Sequence, residues 1–233
     1  MGGYYELIYG DVFTWGLAIV GFIIVIWAQV KVNGTYGKYK KVKLSKDING
    51  REAARLILEK NNLDIYVVET PGELTDHYDP SRRVIKLSPS IFRDSTVAAV
   101  AVAAHECGHA IQDKDGYTFM RIRTALVPVV NFISYAGYIA MFISIFAGAM
   151  QYFMIGILIV AATLLFQFIT LPVELDASRR ALLQLEELKI VTKEELPQAK
   201  EVLSAAAMTY IASVLASLLQ LIRLVLLFNR DRD

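Results

Sequence analysis

Three residues in one short stretch could do chemistry together: His105, Glu106 and His109, within Ala103-Ala104-His105-Glu106-Cys107-Gly108-His109-Ala110. In a helix, residues four apart share a face, so both imidazoles can aim at one point. That is the spacing a single Zn²⁺ asks of two neighbouring ligands. Glu106, one residue round from His105, could reach a metal-bound water without ligating the metal, acting as general base and then as general acid. A buried pair of ordinary histidines would have the same spacing. The chain holds only three histidines, however, and two stand here behind the small apolar run Val97 to Ala104. Bare imidazoles in such a helix are costly without partners. The metal reading is preferred, and it requires a third ligand.

The elements that must position this stretch belong to an apolar chain. Its 233 residues are 55% hydrophobic and 20% charged, with mean hydropathy +0.42. This is too apolar for an ordinary soluble domain and predicts several membrane spans with a modest polar portion. Lys and Arg (24) nearly cancel Asp and Glu (23), so net charge gives no reason to expect an acidic partner. No nucleic-acid partner is expected. The single cysteine, Cys107, excludes an internal disulfide. It lies on a different helix face from the histidines and is expected to pack in the core.

Taken in order, the chain divides into five parts. Residues 1–30 hold a first span, Val12 to Val30, with Trp15 and Trp27 near its ends where amphipathic rings favour the interface. No Lys or Arg precedes it, so it reads as an uncleaved anchor. Lys31, Lys38, Lys40, Lys41, Lys43 and Lys46 follow and mark the cytoplasmic side; they could also hold anionic lipid head groups.

Residues 31–123 form the polar, catalytic portion. Arg51 to Asn61 is predicted as an amphipathic helix burying Ala54, Leu56, Ile57 and Leu58. Leu63 to Glu69 and Arg82 to Leu87 are predicted strands, with turns at Pro71-Gly72 and at His77-Tyr78-Asp79-Pro80. Either Asp94 or Ser95 caps the motif helix, which runs to about Gln112. The small sheet could hold an extended substrate by strand addition or be a plain structural hairpin.

Residues 124–171 are predicted as a transmembrane hairpin broken near Gln151. Pro128 and Gly137 are tolerable within it, and Asn131 and Gln167 turn toward other helices. Residues 172–201 return as a cytoplasmic helix, with Arg179, Arg180, Lys189 and Lys193. Residues 202–233 hold a last span, Val202 to Phe228, with Arg223 inside it, read as a full crossing. The fold class expected is therefore mainly α. About four transmembrane helices carry a small α+β, zincin-like portion on the cytoplasmic side.

Two crossings separate His109 from Glu174, which puts both on one side of the bilayer. A carboxylate where a span meets the cytoplasm needs a reason. As third ligand, Glu174 would complete a His-His-Glu set with one position open for water. Asp176 competes, but on a helix it points roughly opposite to Glu174. Both carboxylates could instead pair with Arg179 and Arg180 as a surface network. Glu174 is favoured. His77 is expected to be a turn residue rather than a ligand.

Asp76-His77-Tyr78-Asp79-Pro80, Val84 to Ser88, Val97 to Gln112, and Pro172-Val173-Glu174-Leu175-Asp176-Ala177-Ser178-Arg179-Arg180 together resemble the YugP-like membrane zinc metallopeptidases. The resemblance covers most of the chain in the same order. It strengthens the zinc site more than it identifies a substrate. More distantly, the layout is similar to the HtpX-type gluzincin proteases of membranes, which place a ligand Glu on a later helix and, four residues on, an Asp supporting the first histidine. Position 178 is Ser here, so support for His105 must come from Ser178 itself, from Asp176, or from elsewhere. The site-2 protease family matches less well, because its Asp-Gly ligand motif is missing.

The expected function is a membrane-anchored, zinc-dependent endopeptidase of the cell membrane with its active site facing the cytoplasm. Zn²⁺ would be held by His105, His109 and Glu174, with Glu106 catalytic. His77, Tyr78 and Arg179 are candidates for stabilising the oxyanion. Protein or peptide substrates, membrane proteins among them, and the bilayer are the expected partners. The alternatives are a non-catalytic zinc-binding scaffold or regulator and, less well supported, a zinc hydrolase of lipids or small amides.

Overall fold

A computed structural model describes residues 2–147 and 153–230; the expected break near Gln151 and the last three residues lie outside them. Among the described residues, seven helices and three strands follow one another: α1 (Gly2–Tyr39), α2 (Gly50–Lys60), β1 (Tyr66–Glu69), β2 (His77–Asp79), β3 (Val84–Leu87), α3 (Pro89–Arg93), α4 (Val97–Lys114), α5 (Thr118–Ala147), α6 (Phe153–Glu187) and α7 (Leu196–Arg230). They form two compact units. One comprises Met1–Gln29, Ile122–Thr170 and Thr209–Asp233; the other comprises Val30–Arg121 and Leu171–Met208.

The first unit is made of long apolar helices whose large side chains point outward. Phe13, Phe22, Trp27, Phe132, Leu158 and Leu165 are all more than half exposed, a surface that water does not favour and hydrocarbon does. Among the described residues, three helical stretches are long and apolar enough to cross a membrane: Val12–Tyr39, Met154–Glu187 and Leu196–Asn229. Pro128 and Pro172 lie inside α5 and α6 without ending them. The Arg223 guanidinium sits 4.9 Å above the Trp15 ring, where a cation meets the negative face of the indole.

The second unit is built around α4, which is buried along almost its whole length. Val97 to Ala104 supplies the reason, since small apolar side chains let neighbours approach from every side. Ile57, Ile85, Leu87, Ile91, Leu185 and Ile190 close the core around it. From α6, Val173, Ala177, Ala181 and Leu185 form a buried stripe at four-residue spacing, and each is 0% exposed. At Gly108 a Cβ would overlap the Ala177 carbonyl oxygen and lie 3.0 Å from its carbon. Only glycine admits backbone contact this close.

Several local expectations change. α2 is capped by a reciprocal box between Asn49 and Glu52, and Leu56 lies on its exposed side while Ala53 is buried instead. Asn62, at φ +51°, and the bond from Leu63 N–H to the Leu58 carbonyl close that helix, so β1 starts only at Tyr66. His77-Tyr78-Asp79 is strand β2 rather than a turn, paired antiparallel with β3, while β1 runs parallel to β3 on its other side. The turn is made by Asp79, whose carboxylate accepts from the Ser81 and Arg82 amides.

Thr96, not Asp94 or Ser95, caps α4, its hydroxyl accepting from Ala99 N–H. Asp94 ends α3, and the Ser95 carbonyl accepts from Leu44 N–H, so neither is placed to cap.

Candidate metal centre and active site

The site lies wholly within the second unit. α4 brings His105 and His109 onto one face, their rings 4.7 Å apart and nearly perpendicular. α6 brings Glu174 against them. Its Oε2 is 3.2 Å from His105 Nε2 and 3.6 Å from His109 Nε2, and its side chain is 2% exposed. These are the three residues whose donor atoms converge, all within 4.8 Å of one another. Asp176, two residues along the helix, turns away from them. Its carboxylate accepts from Arg179 Nη2 at 2.5 Å, from Arg180 Nε at 2.6 Å and from Gln112 Nε2 at 3.0 Å. The two carboxylates that compete in the sequence thus take different jobs, because a two-residue step swings a side chain most of the way round a helix.

The donor set fits a zinc ion. Tetrahedral coordination at about 2.0–2.1 Å separates adjacent donors by about 3.3 Å, and the two nitrogen–oxygen distances bracket that value. Protonation fits as well. The Gln112 amide donates to the Val173 carbonyl at 2.8 Å and to Asp176, so its NH₂ end is assigned and Oε1 remains the acceptor. Oε1 is 3.0 Å from His109 Nδ1. Nδ1 therefore donates to it, which leaves Nε2 as the ring atom facing Glu174. For His105, Nδ1 lies 3.2 Å from Ser178 Oγ. The hydroxyl can accept there and leave Nε2 as the donor atom to the centre.

Glu106 is 7% exposed beside this triangle. Burial pushes its carboxyl up to about 7; the His105 ring and the Tyr78 backbone N–H pull it down, while Glu174 and Asp76 add to the rise. A carboxyl held near neutrality can both take up and release a proton. Asp76 reaches into the same region while accepting from Ser88 N–H at 2.7 Å and Ser88 Oγ at 3.0 Å, with burial raising its own pKa.

The remaining candidates are spoken for. His77 Nδ1 pairs with the Thr75 carbonyl at 2.8 Å and the ring is exposed. Tyr78 donates its phenol to Asp113 at 2.8 Å. Arg179 is largely exposed on Asp176. Cys107 is buried, its thiol donating to the Ala54 carbonyl at 3.6 Å. The residue that the sequence reading missed is Gln112. Its signal was its place three residues after His109, on the same helix face.

Fold and donor set together describe a protein with helices apolar enough to cross a membrane and with a three-residue group that could hold a metal ion. The chain belongs to the family described as "Putative neutral zinc metallopeptidase", which it matches over residues 14–229. It is 40% identical over 218 residues to a Bacillus subtilis (strain 168) protein named "Putative membrane protease YugP", the match covering 93% of this chain and 97% of that one. No solved structure matches it.

Proposed function

We propose that this protein is a zinc-dependent endopeptidase working at the cytoplasmic face of the cell membrane, with His105, His109 and Glu174 as ligands. The observation that carries the reading is the convergence of these three donors beside the buried, near-neutral Glu106. When bound, zinc supplies a Lewis acid that acidifies water and polarises a carbonyl. Glu106 takes the proton from the attacking water at its carboxylate and delivers it to the nitrogen of the departing amine. Gln112 and Ser178 keep the two rings oriented through their Nδ1 atoms. β3 is the middle strand of its sheet, so both of its edges are already paired. The free edge beside α4 is that of β2, and an extended peptide lying along it is the substrate geometry we favour over a lipid or small amide.

Four crossings are proposed, with α5 as the fourth span, and residues 31–123 and 172–201 inside. The lysines after α1 and the pair Arg179 and Arg180 support that orientation. Reporter fusions after Tyr117 and after Arg230 test it, since the two must read opposite sides.

The activity is tested by incubating detergent-purified protein with casein. The reading predicts cleavage that a chelator abolishes and added zinc restores. It also predicts that Glu106→Gln has none. Intact casein with zinc-loaded wild type would leave a non-catalytic zinc-binding role.

A further inference from the structure

Gln112 sits where its side chain bridges the metal triangle and the charged network outside it. It is 0% exposed, among the largest fully buried side chains of the chain, and every polar atom of its amide is used. One end accepts from His109 Nδ1. The other donates to the Val173 carbonyl, one residue before Glu174, and to Asp176, two residues after it. Asp176 is in turn held by Arg179 and Arg180, and Arg180 Nη1 reaches Asp115 at the end of α4 at 2.5 Å. His105 has a shorter arrangement, a single hydroxyl contact with Ser178.

We propose that Gln112 is a positioning residue. It relays the Asp176 carboxylate to His109, fixing the Nδ1–H form of that ring and locking the α6 segment around Glu174 at the right distance from it. The proposal rests on the zinc reading above. Physically, a carboxylate held by two guanidiniums polarises the amide dipole between it and the imidazole, so the ring nitrogen facing the centre becomes the better donor. Because the two acceptors of its NH₂ end flank Glu174 on α6 while its carbonyl end holds His109, the same amide sets a ring on α4 and the carboxylate opposite it. A lone hydrogen bond to either helix would set only one.

The test is zinc affinity, measured by chelator competition on the full-length protein in detergent, together with thermal denaturation of the metal-free forms. Gln112→Met keeps the volume and removes both polar ends; zinc affinity should fall about 10–100-fold. Gln112→Glu keeps the acceptor for His109 but faces Asp176 with like charge. Combining it with Asp176→Asn restores a donor opposite the new carboxylate, and the double variant should recover most of the lost affinity. In the Gln112→Met background, Asp176→Asn should have no further effect on zinc, since the relay is already broken. Wild-type affinity in Gln112→Met, or an undiminished Asp176→Asn effect in that background, overturns the relay while leaving the zinc reading intact. Wild type that takes up no zinc overturns the zinc reading and the relay with it.

Discussion

α4 and the second half of α6 meet at the site but bring their residues there by different rules. α4 is buried nearly all round, carries small side chains, and holds His105, Glu106 and His109 within five residues. α6 is a long apolar helix exposed over much of its candidate span, and only its later turns present a narrow buried stripe, from Val173 to Leu185. On α4 the chemistry is local, since helix geometry alone places the residues. On α6 it is tertiary, because Glu174 becomes a partner of the histidines only when Ala177 lies against Gly108. The motif fixes the spacing of the two histidines, and the glycine contact sets how far Glu174 lies from them.

The largest effect should come from Glu106→Gln, which removes the proton acceptor and leaves the donor triangle alone. Casein cleavage should fall by about 10²–10⁴-fold with zinc content unchanged; loss of zinc as well would mean that Glu106 belongs to the ligand set. Gly108→Val breaks the helix contact. With no room for a side chain, α6 must move, and overpacking of this kind costs about 1–3 kcal/mol or more. Thermal denaturation should register that loss, and zinc affinity should drop with it. A normal melting temperature would mean that the helices are not held by this contact.

Ser178→Ala removes the hydroxyl at His105 Nδ1 and should weaken zinc binding by a factor toward the lower end of the 10–100-fold range seen for such supports. An unchanged affinity would mean that His105 is oriented by packing alone. Thr96→Ala loosens the start of α4 without touching α6. It should cost about 1 kcal/mol of stability and leave metal affinity alone. Tyr78→Phe should be smallest, removing one hydrogen bond between β2 and α4, about 0.5–1.5 kcal/mol.

How much of this was legible in the sequence follows from the same contrast. His105, Glu106 and His109 could be read at once because their relation is a spacing. Glu174 was legible from its position, a carboxylate directly after an apolar run, which required an argument about sidedness but no coordinates. Ser178 was noticed through its departure from a pattern. Gln112 was not, since a glutamine near a helix end usually faces water, and only the approach of Val173 and Asp176 gives it partners.

The choice among Asp94, Ser95 and Thr96 as cap was also invisible. All three can cap, and it is the bridge between Lys43 and Thr96 and the Leu44 bond to Ser95 that decide. β2 was hidden by Asp79-Pro80, a turn signal at its very end: the turn runs from Pro80 to Arg83 and does not start at His77. The membrane helices were legible as apolar runs, but their ends were not: α1, α6 and α7 all continue past the hydrophobic stretch into the polar unit.

The central claim is that His105, His109 and Glu174 form one zinc site that Glu106 serves without joining. Elemental analysis of purified wild type, Glu106→Gln and Glu174→Ala tests it most directly. The account predicts about one zinc per chain in wild type and in Glu106→Gln, and a depleted site in Glu174→Ala. Equal zinc in all three, or none in wild type, would contradict it.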